Sequence, residues 1–158
     1  MPVGRIARRL RTVKCLSCSQ HARLAELPQR DRIYVGRYWR VAHAWSALPG
    51  WLLVISQRHV EQLGELTQDE AVELGSMLRE ASAALSGVLG CVKTYVVSFG
   101  EQPGFEHLHV HVVPRMPDFD RAHIGTGIFA FLKCPESEWV PPETRDQLAV
   151  ALARHWTG

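Results

Sequence analysis

The chain has 158 residues, of which 46% are hydrophobic and 22% charged, and its 18 lysines and arginines against 16 acidic residues leave a formal charge of +2. That length is enough for one domain to bury its own core without disulfides, and so small a net charge makes no electrostatic case for a nucleic-acid partner. No apolar run approaches the roughly 18 residues of a membrane span, so a cytoplasmic protein with no membrane partner is expected.

Residues 1–14 contain GRIARRLRTVK, with Arg5, Arg8, Arg9, Arg11 and Lys14. No apolar stretch follows these cations as it would in a secretory signal, so they read as a short solvated extension ahead of a single domain over 15–158. CLSC pairs Cys15 with Cys18, and HARLAELPQRDR reads as a short helical turn ended by Pro28. RIYVG and YWRVAHAW alternate apolar with polar residues around Gly36 and Arg37, which predicts a β-hairpin. Pro49 and Gly50 then turn the chain into a buried strand over 51–56. From Leu66 the period changes: Thr67 and Glu70 stand at capping-box spacing, and Leu74, Leu78, Ala81, Leu85 and Leu89 recur at three- and four-residue steps. One long amphipathic helix stopped near Gly90 is expected. CVKTYVVSFG supplies a fourth strand, EQPGF a loop and HLHVHVVP a fifth strand, and PPETRDQLAVALARHW forms a last helix after a loop-rich stretch. The last two strands are joined too tightly for a parallel crossover, so the fold class is α+β, an antiparallel sheet with the long helix on one face.

The chemistry is concentrated on the fifth strand. His107, His109 and His111 are spaced by two, so strand geometry directs all three to one face and Leu108, Val110 and Val112 to the other. A single strand histidine is normally structural; three in register can share a substrate, a metal or a hydrogen-bond chain. Repulsion among imidazolium charges would also keep at least one ring neutral, hence nucleophilic, near pH 7. CLSC has three readings: a redox pair, half of a zinc site, or coincidence. No strand precedes Cys15, which argues against the first, and a closed zinc site needs two further ligands, for which His59 and His107 are the candidates. Cys91 and Cys134 read as buried thiols. His43 reads as a partly exposed strand residue, and His21, His123 and His155 have no assigned partner. Trp39, Trp45 and Trp51 read as packing residues, with nucleobase stacking the minority alternative.

The stretch HLHVHVV resembles the His-φ-His-φ-His-φ-φ signature, φ being apolar, of the histidine triad (HIT) superfamily, and LPGWLLVISQRHVEQLGELT is similar to the segment that leads into that family's long helix. CLSC resembles the Cys-x-x-Cys of its zinc-containing branch. The resemblance implies a five-stranded antiparallel sheet with a long and a C-terminal helix, a homodimer, and a nucleotide or nucleotide conjugate as ligand. It implies that His109 attacks the α-phosphorus to form a nucleotidyl-histidine intermediate and that His111 assists by hydrogen bonding. The enzyme would be a hydrolase of dinucleoside polyphosphates or nucleoside phosphoramidates, or a nucleotidyltransferase; a zinc-stabilised nucleotide-binding module with little catalysis is the alternative. Cys15, Cys18, His59 and His107 would hold a structural Zn2+. His43 and Gln102, with His111, fall at or near nucleotide-contacting positions. Two departures stand out: Trp51 follows Gly50 where the family usually has histidine, and EQPGF replaces the usual approach to the triad.

Overall fold

The computed structural model describes residues 15–156; the basic extension of residues 1–14 lies outside them. Five antiparallel strands, β1 (Tyr34–Val35), β2 (Trp39–His43), β3 (Leu52–Ser56), β4 (Lys93–Val97) and β5 (His109–Arg115), form one sheet in the order β1-β2-β3-β5-β4. The helices are α1 (Leu16–His21), α2 (Gln68–Leu89) and α3 (Pro142–Ala153). Among the described residues no helix is long and apolar enough to cross a membrane.

Alternation along the strands builds two unlike faces. Trp39 and Val41, Leu52 and Val54, and Val110 and Val112 form one face, packed against Leu74, Met77, Ala81, Ala84 and Leu85 of α2. The cross-strand pairs Leu53–His111 and Ile55–His109 lie on the other. Part of this second face is covered by a smaller core in which Phe119, Ile128 and Phe129, from the segment between β5 and α3, pack with Trp51 and Val113. The uncovered remainder is the floor of a cleft.

Helix α2 begins and ends as its sequence dictates. The Thr67 hydroxyl accepts from the Glu70 amide while the Glu70 carboxylate accepts from the Thr67 amide, which satisfies donors the first turn would leave free. Gly90 ends it at φ 69°, a left-handed conformation natural to glycine.

Three expectations need correction. The first helix is α1, which starts at Leu16 inside CLSC, because the Cys15 sulfur caps it by accepting from the Cys18 amide; residues 24–31 form only short 3-10 turns, with Leu27 held extended before Pro28. β1 has shrunk to two residues. His43 is 2% exposed rather than partly open, because the strand period turns it inward with Trp39 and Val41.

Candidate functional site

Four ligand-type atoms converge where α1 meets the ends of β3 and β5. The Nδ1 atom of His107 lies 3.3 Å from the Cys15 sulfur, 3.6 Å from the Cys18 sulfur and 3.2 Å from His59 Nδ1, and Cys18 and His59 are 3.4 Å apart. All four atoms lie within 4.8 Å of one another, and this is the group of such residues able to hold a metal ion among the described residues. A tetrahedron with bonds of roughly 2.0 to 2.3 Å has edges of about 3.3 to 3.8 Å, so the spacing suits an ion at the centre of a Cys2His2 set. His107 is fully buried, and its other nitrogen lies 2.6 Å from the Ser56 carbonyl, the outer bond that directs Nδ1 into the cluster. Burial and the adjacent Cys15 sulfur push the Cys18 thiol up to about 11, so binding a cation here would displace a proton.

Arg40 docks α1 on the sheet. This arginine has no exposed surface; it donates to His21 Nε2 at 3.2 Å, to the Gln20 side chain at 2.9 Å and to the Asp31 carbonyl. Burial lowers its pKa to about 10, while Asp31 acts the other way. The same burial, then Arg40, then His107 hold His21 down to about 4.

His109 and His111 line a cleft of about 400 Å³ beside this cluster. Their rings are 5.0 Å apart and steeply inclined. His109 Nδ1 lies 2.7 Å from the His107 carbonyl oxygen, which can only accept. Nδ1 therefore carries a proton, and in the neutral ring the lone pair is on Nε2. His111 is arranged the opposite way: its Nδ1 accepts from the Trp51 indole N–H at 2.9 Å, so its proton sits on Nε2. Burial first, and His109 second, hold His111 neutral with a pKa of about 4. Burial also leads the downward shift at His107, ahead of His59 and His109, so desolvation outweighs the mutual repulsion inferred from the spacing.

The cleft brings together Gln102, His109 and His111, together with Leu16, Gln20 and Phe105 from flanking segments. His43 also lies at its edge, but both ring nitrogens are committed: one bonds the Ala44 carbonyl at 2.7 Å and the other accepts from the Gly50 amide at 2.9 Å. Neither is left for a ligand. Burial keeps this ring neutral, its pKa lowered to about 4. Sequence reasoning missed Trp139, whose ring stacks on Trp45 with centroids 6.0 Å apart, and Leu132; both reach the cleft from the stretch before α3 that has no periodic signal. Of the three early tryptophans, Trp39 and Trp51 are fully buried and Trp45 faces the cleft at 41% exposure.

The family model described as the HIT domain matches residues 33–118, more than half of the chain. The chain belongs to the HIT family. It is 34% identical over 74 residues to a Schizosaccharomyces pombe protein named bis(5'-nucleosyl)-tetraphosphatase [asymmetrical], covering 43% of this chain and 39% of that one. It is 32% identical over 109 residues to a Mycobacterium tuberculosis protein named AP-4-A phosphorylase, covering 63% and 56%. The matched stretches thus span well under two thirds of either relative. Among solved structures, a hypothetical histidine triad nucleotide-binding protein from Sulfolobus tokodaii superposes with a TM-score of 0.67 at 20% identity, over 89% of this chain and 91% of that one. A Zn-bound histidine triad family protein from Mycobacterium smegmatis gives 0.61 at 20% identity, over 89% and 94%. At these identities the two structures establish the HIT fold.

Proposed function

We propose that this HIT protein is a nucleotide-conjugate hydrolase or nucleotidyltransferase that works through a covalent nucleotidyl-His109 intermediate. The observation that carries the reading is the pair of opposite tautomers in one cleft, a lone pair on His109 Nε2 beside an N–H on His111 Nε2. The His109 lone pair attacks the α-phosphorus, the bond from phosphorus to the leaving group breaks, and the departing oxygen or nitrogen keeps the pair. Water or another acceptor then adds to phosphorus, the phosphorus–nitrogen bond breaks with its pair returning to Nε2, and the acceptor's proton passes to solvent. His111 donates to phosphoryl or leaving-group oxygen. Trp45 and Phe105, aromatic and partly exposed beside the cleft, offer a face on which a base stacks. The names of the two relatives supply the substrate class, dinucleoside polyphosphates.

Cys15, Cys18, His59 and His107 would hold zinc, whose chemistry here is structural: four protein ligands leave it no open position, so it cross-links α1 to the sheet. β4 is an edge strand of the sheet among the described residues, and that edge, with Val96 half exposed, supports a homodimer.

Intact-protein mass spectrometry after acid-quenched incubation with adenosine 5′-phosphoramidate or diadenosine tetraphosphate tests the reading. The expected result is an adenylyl adduct on the wild type and none on His109→Gly; turnover by that variant would sink it. One observation favours a second reading as a nucleotide-binding module with little catalysis: the cleft lining, among the described residues, holds Asp31 and Glu101 but no lysine or arginine. Bound nucleotide with neither adduct nor product would support that reading.

A further inference from the structure

We propose that Trp51 is a positioning residue that locks His111 as a neutral Nε2–H donor and so removes it from the acid–base chemistry of the cleft. The inference deepens the function proposed above, and its first readout does not depend on that function.

Trp51 has one polar atom. Its ring has no exposed surface and packs in the smaller core with Val113, Ile128 and Phe129, so the indole N–H has no route to bulk water. Its partner is His111 Nδ1 at 2.9 Å, reached with the two rings at 81° to one another, the edge-on approach that aims an N–H at a ring nitrogen. Indole N–H only donates and does not titrate. His111 Nδ1 must therefore accept. Protonating it would set two N–H groups head to head and strand a buried donor, which is why proteins pair such groups almost without exception.

Neighbouring triad histidines thus receive opposite tautomers from one bond each. The His107 carbonyl places the proton of His109 on Nδ1; Trp51 keeps the proton of His111 off it. A histidine at position 51 could accept as well as donate and would itself titrate near neutral pH. Tryptophan has no such titration, so the donor at position 51 is the same across the neutral range. The groups around His111 are His109 on its own strand with ring centroids 5.0 Å apart, Leu53 and Val97 as cross-strand neighbours, and His43, Asp31, Glu101, Gln20 and Gln102 elsewhere in the cleft lining. Among the described residues the hydrogen-bond partner of Nδ1 is Trp51.

The test is nitrogen-15 NMR of the histidine rings in the full-length zinc-loaded protein between pH 5 and 8, for wild type, Trp51→Phe and Trp51→His. Wild-type His111 should show an unprotonated Nδ1 and a protonated Nε2 throughout. In Trp51→Phe the ring should populate both tautomers and begin to titrate within the range; Trp51→His should restore the wild-type tautomer at pH 8 and lose it toward pH 5. Steady-state turnover should fall about tenfold in kcat for Trp51→Phe with KM nearly unchanged, and gain a new acidic limb. A proton on Nδ1 of wild-type His111 would overturn the proposal without any variant, as would a Trp51→Phe spectrum identical to wild type. If the His109 adduct is never found, the function above fails while the NMR result still decides the role of Trp51.

Discussion

His43 and His111 are held neutral inside the fold, both with pKa values near 4 caused chiefly by burial. An unfolded chain would bind protons on these rings near the ordinary histidine value of about 6.5. Between that value and about 4 the unfolded state therefore carries more protons than the folded one, so their contribution is complete above pH 6.5 and is lost as pH falls. Each ring adds a slope of up to about 1.4 kcal/mol per pH unit within the window. Urea unfolding at a series of pH values should show this loss, and His43→Phe should flatten the slope by about one proton while lowering stability at pH 7, since the Gly50 amide loses its acceptor. Equal slopes in the two proteins would remove His43 from the account. Strand alternation already places His43 on the face of Trp39 and Val41, while its polarity argues for exposure; what the sequence did not disclose is the Gly50 amide, seven residues on, that gives the buried ring a partner.

Helix α2 was legible almost to the residue, because a capping box, a 3.6-residue apolar repeat and a closing glycine are local signals that agree. What the pattern did not disclose is that Glu70 serves two partners. Its carboxylate also takes Arg58 Nε at 2.8 Å and Nη2 at 2.7 Å, and that guanidinium, with Thr67, holds it down to about 2. Thr67→Ala should therefore cost about 1 kcal/mol, the usual worth of an N-cap. Glu70→Ala should cost more, because it breaks the return bond of the box and the Arg58 clamp together. Denaturant midpoints at constant m would rank the two; a Thr67→Ala loss equal to that of Glu70→Ala would make the clamp energetically idle. α1 was misplaced for the converse reason. CLSCSQH carries no apolar period, and its start depends on a cysteine sulfur acting as a cap.

Across the whole molecule the cleft is assembled from α1, the sheet, residues 99–105 and the stretch that carries Leu132 and Trp139, and no sequence period links segments so far apart. The strand of histidines was readable; its surroundings were not. His107 is where these parts meet. Its ring belongs to the Cys15–Cys18–His59 cluster and bonds Ser56 on β3, while its carbonyl orients His109. Removing a metal held there should thus act twice, freeing α1 from the sheet and loosening the peptide that fixes the tautomer of His109. Cys18→Ser, or exhaustive chelation of the wild type, should lower the unfolding midpoint, raise KM as the α1 wall of the cleft loosens, and reduce kcat as the nucleophile loses its fixed aim. Stoichiometric zinc should restore all three in the chelated wild type and none in the variant. A metal-free protein with unaltered stability and full kcat would separate the cluster from the cleft, leaving the carbonyl of His107 anchored by β5 and the Ser56 bond alone.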